Sequence, residues 1–202
     1  MSQCIHQPGE HHDVLVVLQS LFVCLESVVG PATDHMWEDP TPCGEWRVRE
    51  LVNHITVELL WVPVHFDAEN STRSGRRFMG DVLGMNPTGM LHFAASNALN
   101  RFRGSGALDQ TVRLSYGPRN GLGYARELGA DLTVHWWDLA RAVDSSRSLP
   151  RTVVNAALTE FRGYKNLAAT GMFASPLPVP PGTSPLDELV SLSGRDPRWH
   201  SD

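Results

Sequence analysis

The chain is short of basic residues, and the shortage narrows what it binds. Lys and Arg number 17 against 22 Asp and Glu, a net charge of −5 over 202 residues. No Lys/Arg-rich run is present, which argues against nucleic acid or an anionic membrane surface as the main partner. Cysteine is scarce as well. Cys4, Cys24 and Cys43 are odd in number and lack CxxC spacing, so a disulfide framework is not expected and a reducing cytoplasm is. Met1 to Asp13 shows no basic region followed by an apolar stretch, so no signal peptide is expected. An uninterrupted apolar run is also missing. Val14 to Val29 comes nearest, but Gln19, Ser20 and Glu26 break it at positions that leave an apolar stripe, the mark of a bundle helix rather than a membrane span.

What is present suits one domain, 1–202, with 42% hydrophobic residues and no internal repeat. Leu15, Leu18, Phe22, Leu25 and Val29 recur at helical spacing and predict a helix from about His12 to Val29, ended by Gly30-Pro31. The turn-rich segment Asp39-Pro-Thr-Pro-Cys-Gly44 leads into a second helix, about Arg47 to Asp67, with Val48, Leu51, Val52, Ile55 and Leu59 as its buried stripe. Residues Glu69 to Met85 read as a long loop rich in Gly, Ser and Arg. Asn86-Pro87 is a strong helix start for a third helix to about Phe102. Thr111 to Tyr116 alternates like a strand without a visible partner, so Gly104 to Gly117 is taken as a crossover connection. Fourth and fifth helices are expected over about Gly121 to Val143 and Arg151 to Ala168. A Pro-rich tail from Gly171 is expected to run extended over the bundle, with a short turn near Leu186 to Leu192. The fold class is all-α, an up-and-down bundle with a helical core of about 12–168 and a tail over 171–202.

Within that frame Asp131-Leu-Thr-Val-His135 carries the most chemistry. A carboxylate and an imidazole four positions apart lie one above the other on a helical face, so one helix can give two ligands to one metal ion. Asn53-His54 on the second helix offers a third. Two imidazoles and one carboxylate suit a divalent cation with positions left open, and their nitrogens favour zinc or nickel over magnesium or calcium. Spacing alone also allows the plainer reading of hydrogen-bonded core histidines and solvated acids. Glu58, one turn past His54, and Asp138, just past His135, carry the same ambiguity, as do Arg76 and Arg77 in the long loop. Of the Trp136-Trp137 pair, an indole left exposed would mark the face of a homodimer.

Four motifs, in order, weigh toward the metal. Thr41-Pro-Cys-Gly-Glu-Trp-Arg-Val-Arg-Glu-Leu-Val-Asn-His54, Gly80-Asp-Val-Leu-Gly84, Asp131-Leu-Thr-Val-His-Trp-Trp-Asp-Leu-Ala-Arg-Ala142 and Gly194-Arg-Asp-Pro-Arg-Trp199 span almost the whole chain. Together they resemble the DinB/YfiT-like metal-binding proteins related to the N-terminal domain of mycothiol-dependent maleylpyruvate isomerase. The resemblance implies a DinB-like four-helix bundle, here with an additional helix and the tail, and a divalent metal held by His54, Asp131 and His135. It also implies mycothiol or a similar thiol as co-substrate, with a small-molecule electrophile as its target.

The isomerase has Glu where this chain has Asp131, one methylene shorter, so the metal must sit nearer this helix. The isomerase also carries a C-terminal domain that contributes to its substrate site, and no such domain is read in these 202 residues, so isomerisation of maleylpyruvate is not the expected reaction. The expected chemistry is activation of a thiol by the cation, because the thiolate attacks carbon electrophiles. Glu58 and Asp138 are then expected to orient imidazoles or move protons, and Arg76 and Arg77 to meet an anionic substrate. The alternatives are hydrolysis of an amide or ester by the same metal, and a metal-binding module without catalysis.

Overall fold

Leu18, Phe22 and Leu25 lie on the buried side of α1 (Pro8–Val29) in the structure, a computed structural model. It describes residues 8–32, 34–44, 46–67, 76–164 and 173–201. Cys4 and His6, residues 69–75 of the expected loop, residues 165–168 of the expected fifth helix and residues 171–172 of the tail lie outside the described residues. A 3₁₀ turn (Asp34–Glu38) follows α1, then α2 (Val48–His65), α3 (Pro87–Phe102), a β-hairpin, α4 (Gly121–Ala142), α5 (Arg151–Gly163) and α6 (Pro185–Leu192). α2 packs chiefly on α3 and α1 on α4, and α5 closes on α4 and α6. By length and composition α1 would be able to cross a membrane, but in this fold its stripe from Leu18 to Val29 joins the core.

The helix starts follow from capping chemistry. The Asn86 side chain accepts from Gly89 N at 3.0 Å with Pro87 at the first helical position, and Asn120 does the same for Gly123 N at 2.8 Å at the head of α4. Every residue of the expected stripe on α2, Val48, Leu51, Val52, Ile55 and Leu59, is buried. The core is therefore helix on helix, with α4 the most deeply enclosed of its elements and the carrier of Asp131 and His135.

Three expectations are corrected. Thr111–Leu114 has a partner after all: it is β1, paired antiparallel to β2 (Gly117–Asn120) with Thr111 opposite Asn120 and Leu114 opposite Gly117. Gly-Pro-Arg-Asn neither alternates nor carries β-branched residues, so no strand signal marks it. A short edge strand tolerates Pro118, and Gly117 supplies φ +124° just after the two-residue turn. The expected turn near Leu186 is a full helix, α6, capped by the Ser184 hydroxyl on Asp187 N at 3.2 Å. Trp136 and Trp137 are both buried, so neither indole marks a dimer face; Trp136 Nε1 donates to the Cys24 carbonyl at 3.2 Å.

Candidate metal centre

α2 and α4 bring the three expected ligands to one place. One donor atom each from His54, Asp131 and His135 lies within 4.8 Å of the other two. His135 Nε2 stands 3.6 Å from Asp131 Oδ1, and the rings of His54 and His135 meet edge to face at 5.0 Å between centroids. Neither Cys43 nor Glu58 joins this trio, so the described residues leave the coordination sphere of a divalent cation open. Two imidazole nitrogens and one carboxylate oxygen at this separation fit a divalent cation.

Behind His135 the structure is closed. Its Nδ1 lies 3.2 Å from Asp138 Oδ2, and Asp138 is fully buried. Asp138 in turn accepts from Arg195 Nη2 at 3.0 Å on Oδ2 and from Arg195 Nε at 3.2 Å on Oδ1. Arg195 Nη2 also donates to Cys43 Sγ at 3.3 Å, and Nη1 donates to the Ser193 carbonyl at 3.1 Å. This arrangement fixes the ring of His135 so that Nε2 faces Asp131. Gly194, at φ +82°, lets the chain pass Ala174, whose Cβ would stand 2.6 Å from any Cβ placed there.

Two short segments build the wall beside His54. Thr41 Oγ1 donates to the Trp46 carbonyl at 2.7 Å and accepts from Cys43 N at 3.2 Å, which holds the turn and sets the Trp46 ring 4.4 Å from that of His54. Asn53, the neighbour of His54, donates to the Gly80 carbonyl at 3.1 Å and accepts from Val82 N at 2.8 Å. Arg49 pairs with Asp81 at 2.7 Å. The Gly80–Gly84 motif is thus a latch on α2. It frames a cleft of about 510 Å³ whose wall includes Trp46, Asn53, His54 and Phe78. A separate cavity of about 500 Å³ has Glu58 and Asp131 in its wall.

Burial and the nearby His135 bring His54 down to about 4, with Asp131 pulling the other way, so its ring is neutral with a lone pair available. Burial pulls His135 down too. The Asp131 charge and the hydrogen bonds with Asp138 and Cys43 outweigh it and raise His135 to about 10. That imidazolium holds a positive charge between two carboxylates, where a metal ion would supply one. Burial, reinforced by Asp131 and opposed by His135, lifts Glu58 to about 7.

Of the other expected residues, Asp138 orients His135 and faces no cavity, while Glu58 lies beside Asp131 in the wall of the second one. Arg76 and Arg77 are exposed. Arg77 stacks on Phe78 at 5.5 Å, and neither lines the cleft; the guanidinium that does is Arg49. Sequence reading missed Arg195 and Asn53. The Gly194–Trp199 motif was the signal for the first, and adjacency to His54 for the second.

Comparison with known proteins agrees with the geometry. Residues 20–140, more than half of the chain, match the family described as the mycothiol maleylpyruvate isomerase N-terminal domain. That span holds His54, Asp131 and His135 and stops short of Arg195. Two uncharacterized proteins of Mycobacterium tuberculosis, Rv0738 of strain H37Rv and MT0763 of strain CDC 1551, are each 27% identical over 166 residues, covering 79% of this chain and 85% of the relative. No solved structure matches the chain. The chain belongs to the mycothiol maleylpyruvate isomerase N-terminal domain family, and the six α-helices and small hairpin among the described residues are a DinB-like helical fold.

Proposed function

We propose that this member of the family holds a divalent metal, zinc or nickel, through His54, Asp131 and His135. It uses that metal to activate a low-molecular-weight thiol of the mycothiol type for transfer to, or isomerisation of, an electrophilic small metabolite. The observation that carries this reading is the convergence of two imidazoles and a carboxylate within 4.8 Å, with one cavity against His54 and another against Asp131. A bound divalent cation lowers the pKa of a thiol and so supplies thiolate at neutral pH.

The chain's own residues do the rest. His54 presents a neutral nitrogen, and Asp138 with Arg195 keeps His135 in one orientation. Glu58 lies beside Asp131 in the wall of a cavity, where its carboxyl group can receive the thiol proton and return it to product. The cleft beside His54 has room for the body of the thiol while the second cavity takes the electrophile. A cytoplasmic setting, and the absence of nucleic acid and membrane partners, belong to the same proposal.

Glu58 also favours a second reading. A carboxylate next to an open metal site is the equipment for deprotonating water, and hydrolysis of a small amide or ester would use the same residues. One experiment separates the readings: metal analysis of protein purified without added metal, then a thiol panel against a haloarene and bromobimane. The proposal expects about one zinc or nickel per chain, and thiol-dependent loss of electrophile that vanishes in His135→Ala. Turnover of esters without thiol would move the assignment to a hydrolase, and metal without either activity would leave a binding module.

A further inference from the structure

His135 belongs to a second group of donors besides the trio. One donor atom each from Cys43, His135 and Asp138 also lies within 4.8 Å of the other two. A thiol, an imidazole and a carboxylate are all ligands that transition-metal cations accept. Asp138 is fully buried, where an ionised carboxylate needs a positive partner. The three are held in place from separate parts of the chain. Cys43 lies in the turn before α2, where its N–H donates to Thr41 Oγ1 at 3.2 Å and its carbonyl accepts from Trp46 N at 3.1 Å, while His135 and Asp138 stand one turn apart on α4.

The place of a cation in this group is already filled. Arg195 Nη2 lies 3.3 Å from Cys43 Sγ and 3.0 Å from Asp138 Oδ2, two of the three donors, and Nε holds the other oxygen of Asp138 at 3.2 Å. Nη1 is tied to the Ser193 carbonyl at 3.1 Å, and the guanidinium stands 5.7 Å from the centre of the Phe173 ring. The Arg195 side chain is only 9% exposed, so every nitrogen of the guanidinium is committed inside the protein. A guanidinium stays charged under all ordinary conditions and accepts no ligand bonds, so it supplies the positive charge of a metal ion without a coordination sphere.

We propose that Cys43, His135 and Asp138 form a second cation site whose resident cation is the guanidinium of Arg195, and that Arg195 thereby keeps metal ions off the Cys43 thiol and confines them to the trio. A metal ion admitted here would have to share its place with an existing positive charge, which electrostatics forbids in a buried setting. An ion on this group would also be capped by a protein thiolate, whereas an ion on the trio keeps positions open for an incoming thiol. That consequence rests on the thiol-transfer reading; the cation site itself does not.

Titration with cobalt(II) tests it, because a thiolate bound to cobalt gives a charge-transfer band in the near ultraviolet that imidazole and carboxylate ligands do not give. The titration uses the unaltered protein, Arg195→Gln, Arg195→Lys and Arg195→Gln combined with Cys43→Ala, each first checked for helical circular dichroism. The unaltered protein is expected to bind cobalt without the band. Arg195→Gln removes the charge and is expected to show the band at the strength of about one thiolate per chain. Adding Cys43→Ala is expected to abolish it, and Arg195→Lys, which keeps a positive charge, is expected to lack it. A band in the unaltered protein would overturn the proposal, as would a folded Arg195→Gln without one. An equal band in Arg195→Lys would show that lost packing rather than lost charge admits the metal, and would overturn it too. If Arg195→Gln does not fold, Arg195→Met, uncharged and apolar, takes its place in each comparison. No cobalt uptake by the unaltered protein would retire the trio, yet a band in Arg195→Gln would leave the second site standing; uptake by the unaltered protein with no band in either neutral variant would do the reverse.

Discussion

The two nitrogens of His135 face regions built in opposite ways. On the Nδ1 side, Asp138 is fully buried and both of its oxygens are taken by Arg195, which also reaches Cys43 and Ser193. On the Nε2 side, His54, Asp131 and Glu58 crowd like and unlike charges beside two cavities, and burial displaces His54 and Glu58 from their ordinary values. A satisfied polar network positions; an unsatisfied one next to open space binds. The difference teaches where to look for stability and where for chemistry, although one imidazole belongs to both.

The largest expected effect comes from breaking the closed side. Arg195→Ala leaves the fully buried carboxylate of Asp138 with His135 as its charge partner and two of its hydrogen bonds unmade, and is expected to cost about 3 kcal/mol in urea unfolding of metal-free protein. Asp131→Ala is expected to stay within about 1 kcal/mol of the unaltered chain, because Asp131 is part-exposed, and to lose zinc binding altogether. If Asp131→Ala proved the more destabilising of the two, the division into a positioning side and a binding side would be wrong.

Metal removal tests whether the fold holds the site or the site holds the fold. The apolar stripes of α1 to α4 close on one another without help from the ligand trio. A chelator is therefore expected to lower the melting temperature while the helical circular dichroism survives. The loss is worth roughly 2.7 to 4.1 kcal/mol if free zinc had stood at about 100 to 1,000 times its Kd. Collapse to a disordered chain would make the centre structural instead.

Glu58 sharpens the comparison on the open side. Glu58→Gln keeps the shape of the side chain but removes its proton chemistry. Thiol-dependent turnover is expected to fall by about a hundredfold with zinc content unchanged. Asp131→Glu, which restores the residue that the isomerase uses there, is expected to keep a good part of the activity. A Glu58→Gln protein that loses zinc instead would place the carboxylate among the ligands.

How much of this was legible in the sequence depended on the distance over which each contact is made. The bundle helices were legible because their apolar residues recur every turn and because Asn86-Pro87 announces a start. The ligand trio was legible because Asp131 and His135 share one helical face. The role of Asp138 was only half legible: spacing puts it one turn from His135, but its burial depends on Arg195, 57 residues further on, and no local pattern encodes that meeting. The hairpin was hidden by a second strand without strand character. The latch of Asn53 on Gly80 and Val82 was hidden for the same reason as Arg195, since its partners lie 27 and 29 residues away.

That latch yields the smallest expected effect, at the cleft wall rather than at the ligands. Asp81 accepts from Arg49 at 2.7 Å and from Leu83 N at 2.8 Å, and the hydrogen bond from Arg49, with further help from the Leu83 N–H, holds its carboxyl below the usual range despite some burial. A carboxylate whose pKa is lower folded than unfolded stabilises the fold above its unfolded value, near pH 4, and that contribution is lost as pH falls through the lower, folded value. The pair is about half exposed on the Asp81 side, so solvent screens it and Asp81→Asn is expected to cost less than about 1 kcal/mol at pH 7. In urea unfolding the gap between this variant and the unaltered chain is expected to hold from pH 7 to about pH 4 and to narrow below it. Zinc affinity is expected to be unchanged throughout, because Asp81 frames the cleft without facing the trio. A gap that widened on acidification would mean that Asp81 is stabilised in its protonated form, and the loop would then be held by something other than Arg49.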